Sequence, residues 1–141
     1  MTAYADTSAV VCLYLPDVHS PQAHRRVAPQ GKLWLTPLLQ AEFAHAVEQQ
    51  VFQQQISIVE AGRAYDGFED DRRFGLWLES AMPEAAFDLV IELARRHVAR
   101  LGCRTLDTLH VACALELGAT KFLTFDRRQE QLAKAVGLTL A

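Results

Sequence analysis

The sequence is poor in the features that mark several common protein classes. None of its apolar runs approaches the ~20 residues that span a bilayer, and no signal-peptide pattern opens it. The expected setting is therefore the cytoplasm, with no membrane partner. Cysteine is scarce. Cys12, Cys103 and Cys113 are odd in number and sit in apolar surroundings, which excludes a disulfide framework and predicts reduced core thiols. The five histidines contain no His-x₃-His pair, and His97, Cys103, His110 and Cys113 lack the spacing of a structural zinc site. There is no Gly-x₄-Gly-Lys-Ser/Thr loop and no Gly-x-Gly-x-x-Gly turn, so those routes to nucleotide binding are unsupported. A serine-hydrolase elbow, Gly-x-Ser-x-Gly, is also absent. An aspartyl-nucleophile phosphatase would need a second acid two residues after Asp6, where Ser8 stands. Repeats, low-complexity tracts and linker-like stretches are missing too, so residues 1–141 are expected to form one domain.

Half of the 141 residues are hydrophobic, enough for a globular core. The apolar segments are short and alternate between two kinds of spacing. Met1–Ala5, Leu33–Leu35, Gly75–Leu78, Lys121–Phe125 and Leu138–Leu140 read as buried strands. Between them lie helical runs. Ser8–Leu15 is stopped by Pro16, and His19–Ala28 follows it. A helix starts at Thr36-Pro37, with Thr36 as N-cap, and buries Leu39, Phe43, Ala46, Val47 and Val51. Ser57 and Glu60 form a capping box, and the helix they open should weaken in Glu69-Asp70-Asp71. Met82-Pro83 should open a longer helix, Leu106–Leu117 should end at Gly118, and Arg127–Val136 closes the series. Short strands separated by helices predict an α/β protein with a parallel sheet covered on both faces.

Four acids stand out against this pattern. Asp6 and Asp126 each close an apolar strand, where the ligand crevice of an open parallel sheet lies. Glu42 and Asp107 lie in apolar helical runs, where a carboxylate is costly unless compensated. Each has a plain structural reading: Asp6 and Asp126 as helix caps, Asp107 as a first-turn acid, Glu42 as an arginine partner. Together they suggest a divalent-cation site acting on phosphate esters. Mg²⁺ prefers hard oxygen ligands, and packed carboxylates without metal should raise at least one pKa. The formal charge of −3 argues against non-specific nucleic-acid binding, yet the arginines cluster at 25–26, 72–73, 95–96 with 100 and 104, and 127–128. Trp34, Trp77 and the phenylalanines read as core rather than stacking platforms.

Tyr4-Ala5-Asp6-Thr7-Ser8-Ala9, the Glu42 helix, Arg104-Thr105-Leu106-Asp107-Thr108-Leu109-His110-Val111-Ala112 and Leu123-Thr124-Phe125-Asp126 together resemble the PIN-domain family over essentially the whole chain. The likeness is nearest to the VapC-type toxins of bacterial toxin–antitoxin pairs. The resemblance implies an α/β/α sandwich with a central, mainly parallel sheet and a Mg²⁺- or Mn²⁺-dependent endoribonuclease. Asp6 and Asp107 match the acids that hold metal most directly, Glu42 and Asp126 complete the acidic quartet, and Ser8 and Thr124 match hydroxyls that orient the acids. Arg104 and Arg127, nearest the motifs in sequence, are candidates for the RNA backbone. A homodimer and a small cognate VapB-like antitoxin are also implied. Two alternatives remain open: an RNA-processing PIN nuclease with no toxin role, and a non-catalytic module whose acidic cleft binds an arginine-bearing partner.

Overall fold

Alternation of small and large apolar residues along three-residue strands places side chains on both faces of one sheet. The computed structural model describes residues 2–141, so the Met1 end of the expected first strand lies outside the described residues. The strands are β1 (Ala3–Ala5), β2 (Leu33–Leu35), β3 (Trp77–Glu79), β4 (Lys121–Leu123) and β5 (Thr139–Leu140). They form a five-stranded sheet in the order β3-β2-β1-β4-β5, and every pairing is parallel. The expected α/β fold with helices on both faces is what the chain adopts.

One face carries Ala3, Ala5, Leu33, Leu35 and Leu123. Against it pack α1 (Thr7–Tyr14), α3 (Pro37–Phe52) and α4 (Ile58–Arg73), through Val10, Leu39, Phe43, Val47, Ala61, Ala64 and Phe68. The other face carries Tyr4 and Phe122. It is covered by α5 (Ala86–Leu93), α7 (Thr105–Glu116) and α8 (Arg127–Ala135), through Leu93, Leu109, Val111, Ala112 and Leu132. Between β1 and β2 runs α2 (Ser20–Val27), and α6 (Ala99–Leu101) precedes α7. Cys12, Cys103 and Cys113 are buried and unpaired, as their apolar surroundings predict.

The caps set the helix starts. Thr36 accepts from Leu39 N–H at 3.3 Å, and the Ser57–Glu60 capping box is complete in both directions. Gly118 takes φ +73° just after α7, the left-handed geometry its C-terminal position requires.

Two helices depart from the sequence reading. α4 does not weaken at Glu69-Asp70-Asp71 but continues to Arg73. Arg72 bonds Glu69 at 3.0 Å, Arg73 lies 3.6 Å from Asp70, and Asp71 accepts the Tyr14 hydroxyl at 2.6 Å, so each acid has a partner within reach. Met82-Pro83 does not open α5, which starts at Ala86 and continues through a π-type turn at Ala94–Val98 into α6. The strands ending at Phe125 and Leu78 in the sequence reading also shift: β4 stops at Leu123, and β3 spans Trp77–Glu79.

Candidate active site

The chain leaves β1 for β2 on one side, while β4 pairs with β1 on the other. That makes β1/β4 the point where the winding reverses, and a crevice opens there beyond the strand ends. Asp6 follows β1 directly, and its amide donates to Leu123 O across the junction at 3.0 Å. Asp126 lies just past β4, Glu42 projects from α3 and Asp107 from the first turn of α7. All four line one cavity of about 560 Å³. Four acids separated by up to 120 positions in sequence thus meet at the place the topology marks out.

Each acid is already engaged by protein. Asp6, only 5% exposed, caps α1 by accepting from Ala9 N–H at 2.9 Å. It also accepts from Ser8 Oγ at 2.9 Å, and Thr124 Oγ1 lies 3.2 Å away with its one proton shared between Asp6 and Gln129 Oε1 at 2.7 Å; these are the two hydroxyls expected to orient it. Burial raises its pKa, and these donors and His110 offset the rise only in part. One carboxylate pKa does rise, as expected. The cause is desolvation, however, and not repulsion among the acids.

Glu42 is held by His110, whose Nε2 hydrogen-bonds Oε1, and by Thr7 Oγ1 at 2.7 Å. Burial pulls its pKa up, but hydrogen bonds from His110 and Thr7 overcome this and leave it below the usual carboxylate range. His110 is itself buried, and its Nδ1 lies 2.8 Å from the Tyr4 hydroxyl. In the neutral ring Nε2–H donates to Glu42 and Nδ1 accepts from Tyr4, so both ring nitrogens of His110 are satisfied.

Asp107 pairs with Arg104 at 3.0 Å, and Asp126 caps α8 by accepting from Gln129 N–H at 2.8 Å. The capping roles are therefore real for both strand-end acids. A carboxylate has about four acceptor sites, so a cap leaves capacity for a cation.

Among the described residues, no three Asp, Glu, His or Cys groups converge closely enough to form a ready-made ligand cluster. The donor set nonetheless suits a hard divalent ion, being oxygen throughout and partly desolvated at Asp6. A cation there would relieve the cost of burying Asp6. Arg104 is 81% exposed, so its pair with Asp107 is weak and easily exchanged.

A second recess of about 410 Å³ adjoins the first and is lined by Gly102, Arg104, Asp107, Asp126, Arg127 and Arg128. Arg104 and Arg127 thus lie beside the acids, as the sequence suggests. The pairs at 72–73 and 95–96 do not line either recess. Arg72 and Arg73 bond Glu79, Glu69 and Asp70, and Arg96 bonds Glu92.

Three supporting residues escape the sequence reading. His110 stands three positions after Asp107 on the same helix, a spacing that signals a shared face. Thr7 lies between two residues already singled out. Fully buried Gln129 accepts from Thr124 Oγ1 at 2.7 Å and donates to Asp107 O at 3.1 Å, tying α8 to α7 and to the β4 end. Only its burial reveals it.

The family model of the PIN domain matches residues 3–135. A search of curated protein sequences gave no match. Among solved structures, the chain is similar to VapBC2 from Rickettsia felis bound to a DNA fragment from its promoter. The TM-score is 0.66 at 15% identity, covering 100% of this chain and 98% of that chain. It is similar to VapC20 of Mycobacterium tuberculosis, a sarcin–ricin loop cleaving toxin, with TM-score 0.68, 16% identity, and 97% and 96% covered. FitAcB from Neisseria gonorrhoeae gives a TM-score of 0.70 at 12% identity, with 98% and 95% covered. At such identities the likeness is one of fold.

Proposed function

The chain belongs to the PIN-domain family, and from that premise we propose that it is a metal-dependent endoribonuclease, the toxin of a toxin–antitoxin pair. The observation that carries this reading is the meeting of Asp6, Glu42, Asp107 and Asp126 in one cavity at the sheet's switch point. The toxin role draws support from the fold shared with VapBC2, VapC20 and FitAcB. The reading carries with it a homodimer, a VapB-like antitoxin partner, a cytoplasmic setting and a single domain over residues 1–141.

Asp6 and Asp107 are the principal ligands in this reading, with Glu42 and Asp126 contributing. A bound Mg²⁺ or Mn²⁺ supplies activation of water and stabilisation of charge on the phosphate oxygens. The chain's own residues do the rest. Ser8 and Thr124 hold Asp6 in one orientation, and Thr124 is fixed in turn by Gln129. His110 and Thr7 keep Glu42 ionised and aimed into the cavity. Arg104, whose exposed pair with Asp107 is easily exchanged, and Arg127 line the same recess and would meet a phosphate there. In-line attack of water on an RNA phosphodiester then leaves a 5′-phosphate and a 3′-hydroxyl.

The Arg104–Asp107 pair also favours one second reading, since it shows a guanidinium accommodated by the acids. On that reading the cleft binds an arginine-bearing partner without catalysis. Incubating purified protein with total cellular RNA, with and without Mg²⁺ or Mn²⁺, and sequencing the new 5′ ends separates the two. Metal-dependent cuts at defined sites, lost in Asp107→Asn, are the expected result. An absence of cuts from antitoxin-free protein supplied with metal would favour the binding module. An adjacent small gene for an antitoxin separates a toxin from an RNA-processing nuclease.

A further inference from the structure

At the rim of the acidic cavity the chain builds an aromatic column. The His19 ring lies parallel to Phe125, with centroids 4.5 Å apart and planes 9° from parallel. The Arg26 guanidinium stands 5.2 Å from the centre of the same Phe125 ring. Phe125 immediately precedes Asp126, and both His19 and Phe125 line the cavity that holds Asp6 and Glu42. Of the seven phenylalanines, Phe43, Phe68 and Phe122 are core as expected; Phe52, Phe74 and Phe87 are exposed on helix surfaces or ends, against that expectation, and Phe125 is only partly buried and lines the cavity.

The position of His19 is fixed by its backbone. Its N–H donates to Asp17 Oδ1 at 2.8 Å, Asp17 N–H donates to Ser20 Oγ at 2.9 Å, and that hydroxyl donates to Leu15 O at 3.0 Å. The ring itself is exposed, and no side-chain hydrogen bond from His19 caps α2. A parallel aromatic pair with one exposed, pre-positioned ring beside a phosphate-directed site offers what an unpaired base needs: a flat π surface requiring no reorganisation.

Resting on the nuclease reading above, we propose that His19, supported by Phe125 and Arg26, is a stacking platform for an unpaired nucleobase next to the scissile phosphate. The substrate class is then single-stranded or looped RNA. A base inside a duplex has both faces covered by its neighbours and cannot join the column. Every base has a π face, so His19 selects for strand state more than for base identity. Arg26, over the Phe125 ring, is drawn to its π face and helps hold the supporting ring in place.

The test uses the intact chain and a short single-stranded RNA carrying a fluorescent adenine analogue at successive positions. Wild type, His19→Ala and His19→Phe are compared for Kd, fluorescence quenching and cleavage. The wild type should quench the analogue at one position near the cut. His19→Ala should lose that quenching and weaken binding about tenfold, and His19→Phe should restore both, which a merely structural histidine would not allow. An abasic nucleotide at the quenched position should cost the wild type the same factor and cost His19→Ala nothing. If wild type cleaves RNA but His19→Ala binds equally and no position is quenched, the platform is wrong and the nuclease reading stands. If wild type neither binds nor cleaves RNA, both fall together.

Discussion

The hydrogen-bond chain Tyr4–His110–Glu42 allows a quantitative test of how the site is supported. Tyr4 is fully buried, and burial pushes its phenol well above its ordinary pKa, so it remains a donor at every working pH. His110 Nδ1 lies 2.8 Å from that hydroxyl. Replacing His110 with leucine, similar in size, orphans the buried hydroxyl at about 1–3 kcal/mol and removes a hydrogen bond to a charged carboxylate worth about 1.5–3 kcal/mol. The expected loss of stability is roughly 2.5–6 kcal/mol. Tyr4→Phe alone should cost about 1–3 kcal/mol, because it leaves the ring nitrogen without its donor. The double variant, with two apolar side chains facing each other, should be less destabilised than the sum of the singles by about 1–3 kcal/mol. Urea unfolding followed by circular dichroism, with the slope unchanged between variants, measures all three. Additivity to within about 0.5 kcal/mol would refute the claim that the hydroxyl depends on His110. Cleavage adds a second readout. Tyr4→Phe keeps the His110 contact to Glu42 and should retain activity, while His110→Leu should lose it.

Three further outcomes are expected. Adding Mg²⁺ or Mn²⁺ should raise the melting temperature of the wild type, by the equivalent of about 2.7 kcal/mol at a hundredfold excess over Kd. Asp6→Asn should fold and abolish that rise, and a wild type indifferent to metal would sink the cation-site reading. Gly62, mid-helix in α4, has open space where a Cβ would stand, so Gly62→Ala should stabilise by about 0.5–1 kcal/mol in the same urea assay. A loss of stability there would show that the helix surface is not as free as it looks. Burial pushes the Cys113 thiol up to about 11 and Cys12 up to about 12. The thiolate fraction at pH 8 is then about one in a thousand or less, so a thiol-disulfide reagent should label the folded chain slowly, faster as pH rises, and label all three cysteines at once after unfolding. Rapid stoichiometric labelling of the native protein would contradict that burial.

Several elements were legible because their signals are local. Thr36-Pro37 and the Ser57–Glu60 box start helices where caps dictate, and Gly118 ends α7 where only a small residue tolerates φ +73°. α4 was misread at its acidic end because the compensating partners include Tyr14, which lies far away in sequence. The opening of α5 was misread because a proline at a plausible first position carries no information about which downstream residues pack. Glu42 and Asp107 were visible as charges out of place on apolar helices. Gln129 was not, because a glutamine on a polar helix gives no sign of being fully buried.

The sequence by itself determined the alternation of strands and helices and the identity of the four acids, since both rest on residue type and short-range spacing. Tertiary structure decided which partners each acid has. His110 and Thr7 reach Glu42, Gln129 locks Thr124 onto the Asp6 side, and His19 lies on Phe125 only because β1 and β4 become neighbours. Hydrogen bonds and ring stacking act over a few ångströms, and separations of 35 to 118 positions in sequence close to that range only when the sheet assembles.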